Sequence, residues 1–327
     1  SRNAQKNYKI ELKKNKGSWR GQRTIALNKH MGEGLRFRNK MAYDLIKGID
    51  QMMGLRTQFV HLYVKDLTDS DTGAFVDYGL YTQVEQLNKT ALKAHGLDST
   101  GQLYKINSFE FHRNEDIIRL TTDPAYDQTA FERLMEIKGN SDHSKLIEML
   151  DVLNDESSSM DEEVFARYFD PENIAYWMAF QLLTGNTDTQ SRNVYLYSPQ
   201  NSDCWYLLDW DNDGMLRRKE REIIQFSDSE SWERGVSNYW GNVLFRRCLQ
   251  TESFRQLLDS QLDLVAKKNK LTLDETKILC TLHQCGEFES VRRLADVADM
   301  PLRRAAMCVQ KLERKKLVWT SEDKTED

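Results

Sequence analysis

The chain alternates between two hydrophobic periods, and the points where it switches predict its elements. In "NYKIEL" (7–12), Tyr8, Ile10 and Leu12 alternate with polar residues, the period of two expected of a half-buried strand. "RTIALN" (23–28) follows a glycine-containing turn as a second strand. The period then lengthens: Leu35, Met41, Leu45 and Ile49 fall at helical intervals within 35–53, and Gly54 is placed to end the helix. "QFVHLYVKD" (58–66) and "AFVDYGLYTQVE" (74–85) are aromatic and β-branched and flank the turn-rich "LTDSDTG". They predict a hairpin feeding a helix near 85–95. Residues 128–183 read as mostly helical, and "NIAYWMAFQLL" (173–183) is apolar nearly all round, which predicts a buried helix. Beyond it, "NVYLYS" and "CWYLLDW" flank "PQNSD" as a second hairpin, and 239–266 return to helical spacing.

Composition narrows the class. The 327 residues are 39% hydrophobic and 30% charged, enough to bury a core in two domains or in one large domain with an appendage. No stretch approaches the roughly 18 apolar residues of a membrane span. The five cysteines (204, 248, 280, 285, 308) are odd in number and lack a CxxC pair, so reduced thiols are expected rather than a disulfide framework or zinc site. No signal peptide is visible, which makes a cytoplasmic location the default. The chain opens on Ser1 rather than Met, so natural sequence upstream is expected. The net charge of −5 argues against a nucleic-acid sleeve along the whole chain. Charge is uneven, though: residues 1–30 hold nine Lys/Arg and one acid, whereas 151–163 hold six acids and no base. Both stretches read as solvated surface.

The chemistry gathers around the second hairpin. In "GNTDTQSRNVYLY" (185–197), Asp188 and Asn193 are five apart, and Asn193 begins the first strand. Asp211 stands where the returning strand ends, so the hairpin should make Asn193 and Asp211 neighbours. A loop carboxylate, an Asn and a second Asp are what nucleotide phosphoryl transfer uses: one group for the hydroxyl proton, two for Mg²⁺. Protein-kinase catalytic loops show the same D-x-x-x-x-N spacing. The stretch "DWDNDGMLRRKE" also fits a calcium loop through Asp209, Asp211, Asp213, Gly214 and Glu220, with Leu216 at its eighth position. That reading meets a strand where an EF-hand has a helix, a single copy, and Arg217, Arg218 and Lys219 crowding the ion. A magnesium clamp is the expected reading; a calcium loop and a ligand-free acidic turn are the alternatives. Hydrolase signatures are missing: there is no G-x-S-x-G elbow or Walker loop, and the six histidines lack ligand spacing.

These segments together resemble the spore-coat CotH kinases, a bacterial family of atypical kinases that phosphorylate Ser/Thr. The likeness runs in order through "SRNAQKNYKIEL", "LRFRNKMAYDL" (35–45), "DYGLYTQVEQL" (77–87), "LYK" (103–105), "FDPENIAYWMAFQLLTGNTDTQSRNVYLY", "WDND" (210–213) and "VLFRRCLQTESFRQLLDSQL" (243–262). It implies an α+β, two-lobed, atypical protein-kinase-like fold over 1–265, with an N-lobe of about 1–88 and a C-lobe of about 89–265. The strand that usually precedes the Ser-Arg pair is missing from the front. The resemblance implies ATP with Mg²⁺ or Mn²⁺ as cofactors and a Ser/Thr-bearing protein as acceptor. Asp188 would be the catalytic acid, Asn193 a catalytic-loop metal ligand, and Asp211 the main metal ligand assisted by Asp213. Asp209 has no place in the family pattern. Glu85 in the interlobe segment "TQVEQ" would lie near the nucleotide, and Lys9 or Lys6 would meet the phosphates.

Residues 271–320 fall outside that likeness. They read as three helices, near 273–284, near 290–299 and from Pro301 onward, and resemble a winged helix-turn-helix, a small all-α module with "LVW" opening a short wing. Leu294, Ala295, Val297, Leu302, Val309 and Leu312 are its expected core. Residues 291–318 carry eight Lys/Arg and three acids, with Arg303 and Arg304 near the start of the third helix, so DNA or a protein partner is expected there. Two other functions stay open: a non-catalytic binding or adhesion protein on the same scaffold, and a ligand-sensing DNA-binding regulator. "SSS" (157–159) is a candidate self-phosphorylation site.

Overall fold

The computed structural model describes residues 6–13, 15–29, 37–65, 67, 73–157, 162–186, 188–215, 239–268, 275, 278, 290–298, 300–314 and 318. Its first sheet holds β1 (Tyr8–Glu11), β2 (Thr24–Asn28), β3 (Thr57–Val64) and β4 (Val76–Glu85) in the antiparallel order β1-β2-β4-β3. Cross-strand partners share a face. Lys9 pairs with Ala26, Ala26 with Val84, and Val84 with Thr57, so these four lie on one side. Helix α1 (Arg38–Ile46) covers that side, where Ala42, Tyr43 and Ile46 join Val84 and Leu55 in the core. The helix stops short of the predicted residue 53. Gly54 is not its cap but a close approach, since a Cβ there would lie 2.8 Å from Lys47 Cγ and 3.1 Å from Lys47 N.

A short helix α2 (Lys89–Ala94), capped by Asn88, leads to a second antiparallel sheet. It contains β5 (Gln102–Ile106), β6 (Met135–Ile137), β7 (Val194–Ser198) and β8 (Tyr206–Asp209), ordered β6-β5-β7-β8. Around it stand α3 (Gln128–Leu134), α4 (Ser144–Asn154), α5 (Glu162–Tyr168), α6 (Pro171–Thr184), α7 (Val243–Gln250) and α8 (Glu252–Lys268). The sequence predicts α6 closely. Asp170 caps it by accepting from Asn173 N at 2.9 Å, Pro171 opens its first turn, and Gly185 closes it at φ 60°. Ten of its fourteen residues are buried, with Trp177 stacked on Phe245 at 5.4 Å. Lys145 on α4 pins the β7–β8 turn, donating to Ser198 Oγ, Pro199 O and Ser202 O at 2.6–2.9 Å.

A separate core follows. Helices α9 (Val291–Val297) and α10 (Leu302–Arg314) pack through Leu294, Ala295, Ala298, Ala305, Cys308, Val309 and Leu312, with Ile278. Two expected core residues are corrected here: Val297 and Leu302 are 44% and 41% exposed. The apolar arc of α9 is centred on Leu294, Ala295 and Ala298, which turns Val297 outward, while Leu302 lies at the open start of α10. Of the helix expected near 273–284, Glu275 and Ile278 are described and both are helical; the rest lies outside the described residues. The same holds for Leu317 and Trp319 of the expected wing, though Val318 packs against the cluster. Cys204 is half-buried and Cys248 and Cys308 are buried; Cys280 and Cys285 lie outside the described residues.

Candidate active site

The buried helix α6 delivers the chain at Gly185 into the loop 186–193, which hydrogen bonds tie both to neighbouring segments and across itself. Phe109 N donates to Ser191 O at 2.9 Å, and Asn242 Nδ2 to Gln190 O at 2.7 Å. Thr189 Oγ1 donates to Asn186 O at 3.3 Å. Within the loop Asn193 Nδ2 donates to both Asp188 Oδ2 and Asp188 O, each at 3.1 Å. Arg192 Nε stands 3.8 Å from Asp188 Oδ1. The two residues of the D-x-x-x-x-N spacing are therefore in direct contact.

The hairpin brings Asp211 alongside. Val194 pairs with Asp209, so Asn193 comes opposite the β8 exit that carries Trp210 and Asp211. Asn193 and Asp211 both adopt left-handed backbone conformations, φ 55° and 56°. Asn and Asp enter that region more readily than other residues with a side chain. A 3₁₀ turn, Asn212–Gly214, follows and holds Asp213. Gly214 lets this turn approach the loop: a Cβ there would lie 2.6 Å from Asn186 Oδ1 and 3.4 Å from Asp188 Cβ. Asn186 Nδ2 donates to Asn212 Oδ1 at 3.3 Å across the same gap.

The first lobe reaches this turn through α1. Asn39 Oδ1 accepts from Asn212 N at 3.1 Å, and Asn39 Nδ2 lies 3.5 Å from Asp211 Oδ1. Tyr43, one helical turn on, accepts from Asp211 N at 3.2 Å. Burial, then the carboxylates of Asp209 and Asp211, pushes the Tyr43 phenol well up, so it stays protonated. Asp209 is fully buried. It accepts from Gln181 Nε2 at 2.7 Å and from Asn212 Nδ2, while desolvation pushes its carboxyl up to about 6. Committed inward, Asp209 does not offer the first ligand that a calcium loop needs, and the strand and 3₁₀ turn around it are not a helix–loop–helix. Glu220, the last position of that pattern, lies outside the described residues, as do Leu216, Arg217, Arg218 and Lys219.

The other candidates lie elsewhere. Lys9 shares the α1 face of the first sheet but extends into solvent and pairs with Glu11 at 3.0 Å. Lys6 precedes β1 and is exposed. Glu85 is buried at the end of β4, accepting from Arg56 Nε at 2.9 Å and Arg56 N at 3.0 Å, with His95 Nε2 2.8 Å away. Burial alone would push this carboxyl up; the His95 and Arg56 hydrogen bonds outweigh it and hold it down to about 2. It ties β4 to the start of β3 and the end of α2. Of "SSS", only Ser157 is described, with its Oγ 2.5 Å from Asp155 Oδ1.

Sequence reasoning missed Asn39, Tyr43, Asn186 and Asn242, and set Asp209 aside. One signal was available: Asn39 and Tyr43 are four apart, two polar-tipped residues on the buried face of a helix.

The donors present at the loop suit a hard divalent cation. Carboxylates from Asp211 and Asp213 and an amide oxygen from Asn193 form an oxygen-only set. Among the described residues, no three His, Cys, Asp or Glu side chains are gathered so as to hold an ion by themselves. Mg²⁺ characteristically takes one or two carboxylates together with substrate phosphates and water. Compared with known families, residues 1–271 match the model described as CotH kinase protein. A search of curated proteins gave no match.

Proposed function

This chain belongs to the CotH kinase family, and we propose that it transfers the terminal phosphoryl group of ATP to a Ser or Thr hydroxyl of a protein acceptor. The observation that carries this reading is the Asn193–Asp188 contact at 3.1 Å, set beside the loop that bears Asp211. Asp188 accepts the acceptor hydroxyl proton, and Asn193 fixes the rotamer of that carboxylate through its Nδ2. Arg192 adds positive charge on the other carboxylate oxygen. Asp211 and Asn193 are the residues to hold Mg²⁺ or Mn²⁺, with Asp213 in support. When bound, the ion would offset negative charge on the phosphates. Lys9, on the α1 face of the sheet, is better placed than Lys6 to meet the nucleotide. Glu85 acts through the Arg56–His95 cluster at the end of β4 rather than by touching the nucleotide. The catalytic unit spans the family match, and 271–320 forms an appended module.

Thermal unfolding with ATP plus Mg²⁺ or Mn²⁺, against Ca²⁺ alone, tests the assignment. A ligand confined to the folded state adds about 2.7 kcal/mol at a hundredfold excess over Kd. The native chain should melt higher with metal–ATP, and Asp211→Asn should abolish the rise while leaving the ligand-free midpoint nearly unchanged. Asp188→Asn should keep the rise and lower phosphoryl transfer by about 10²–10⁴-fold. Stabilisation by calcium alone, with no response to ATP, would overturn the reading.

A further inference from the structure

The described part of the C-terminal module presents one helix face whose chemistry the kinase reading leaves unused. Helix α10 has thirteen residues, about 20 Å of axis. Its buried positions, Ala305, Cys308, Val309 and Leu312, fall on one side. At about 100° per residue, Arg303, Arg304, Met307, Gln310, Lys311 and Arg314 fall within one arc of about 120° on the opposite side. All six are exposed. That arc carries four cations and no acid; Glu313, the only acid of the helix, lies on its flank. This concentration of positive charge belongs to a chain whose net charge is −5.

From this face we propose that α9–α10 binds double-stranded DNA, with α10 lying in the major groove. Three features point to a duplex. The four cations span 303–314, about 16 Å along the helix axis, a reach that suits phosphates on both walls of a groove about 12 Å wide. Between them stands Gln310, a side chain able to pair with adenine in two hydrogen bonds, and Met307 supplies apolar contact. Helix α9 packs against α10 through Leu294, Ala295 and Ala298, so α10 is braced from behind and its basic face stays outward. Exposed Arg292 and Arg293 on α9 add charge where a first helix would cross the backbone.

The test is fluorescence anisotropy of the full chain on a labelled mixed-sequence duplex of about 20 base pairs, from 50 to 200 mM KCl. Binding should weaken with salt at a log–log slope of about −3 to −4, the mark of three or four phosphate contacts. Arg303→Glu combined with Lys311→Glu should weaken binding at least tenfold and flatten the slope by about two. Gln310→Ala should leave the slope unchanged and alter preference among duplexes of different sequence. Circular dichroism and the metal–ATP melting shift, read on the same samples, separate loss of contact from loss of fold. No retention at 50 mM KCl, or retention indifferent to the double variant, would overturn the proposal. Equal displacement by polyglutamate or by single-stranded DNA would overturn it too, and would move the face to an acidic protein or an unpaired strand.

Discussion

Asn39 is one side chain with two duties at the turn proposed to hold the metal: it contacts Asp211 from one end of its amide and holds Asn212 N from the other. Replacing it with Ala leaves a buried N–H without its acceptor, a loss of about 1–3 kcal/mol. The expected signature of Asn39→Ala is a metal requirement raised about tenfold, because the misoriented carboxylate is the one proposed as metal ligand and not the one proposed as proton acceptor. Metal titration at saturating ATP measures it, and an unchanged midpoint would remove Asn39 from the site. His143 carries a second prediction, on stability. It is fully buried, stacked on Phe131 at 4.2 Å, and hydrogen-bonds Tyr104 Oη at 2.8 Å and Tyr126 Oη at 3.1 Å. Desolvation holds its imidazole down to about 4, against about 6.5 for the unfolded chain. Between those values the unfolded chain binds the proton and the folded chain does not. Stability from this group is therefore fully present above pH 6.5 and lost as pH falls toward 4, to a total of about 3 kcal/mol. Urea melts at pH 7 and 4.5 should show His143→Gln losing less stability on acidification than the native chain; equal losses would reject the assignment.

At the scale of elements, the site depends on how closely the Asn212–Gly214 turn approaches the 186–193 loop. A methyl at position 214 would meet Asn186 Oδ1 at 2.6 Å, below any ordinary contact, so the buried Asn186 amide, which accepts from Asp188 N and donates to Asn212 Oδ1, must shift. Gly214→Ala should therefore lower phosphoryl transfer by at least about tenfold, since a displacement near 1 Å at a reacting group costs rate steeply. The midpoint of unfolding should drop by less than a core truncation would cause; retention of full activity would mean that the loop tolerates the shift. The sequence made α6 and the β7–β8 hairpin legible because each carries its own signals: Asp170, Pro171 and Gly185 bound the helix, and "PQNSD" marks the turn. Strands β5 and β6 left no such trace. Gln102, Leu103, Tyr104 and Ile106 of β5 are buried and Lys105 half-buried, which erases the alternation that betrays a one-sided strand. β6 is three residues long and follows directly on α3. Apolar periodicity overstates the length of helix α1 because it persists through Ile49 and Met52, which are buried after the helix has ended. The Asp188–Asn193 and hairpin spacings were readable along the chain. The contacts from Asn39, Tyr43 and Asn242 join residues from about 50 to more than 160 positions apart, and no local pattern encodes them.

For the whole molecule, the described residues pack into two separate cores, and each is expected to unfold as its own unit. The first core gathers buried residues from Ala42 to Val265, and the second from Ile278 to Leu312, with no member in common. Substitutions in cores that share no partners combine almost additively, so damage to one core should not propagate to the other. Leu312 is fully buried between α9 and α10, and a Leu→Ala change at such a site costs about 2–5 kcal/mol. Leu312→Ala should therefore speed hydrogen exchange across α9 and α10 while α6, β7 and β8 exchange as before. The metal–ATP melting shift should also stay within error of the native value, because the residues proposed to hold the nucleotide and metal all belong to the first unit. Asp211→Asn should give the reverse pattern, abolishing the shift with exchange in α10 untouched. If Leu312→Ala instead reduces the nucleotide response, the two cores fold as one, and the C-terminal module is then a structural support of the kinase rather than an independent appendage.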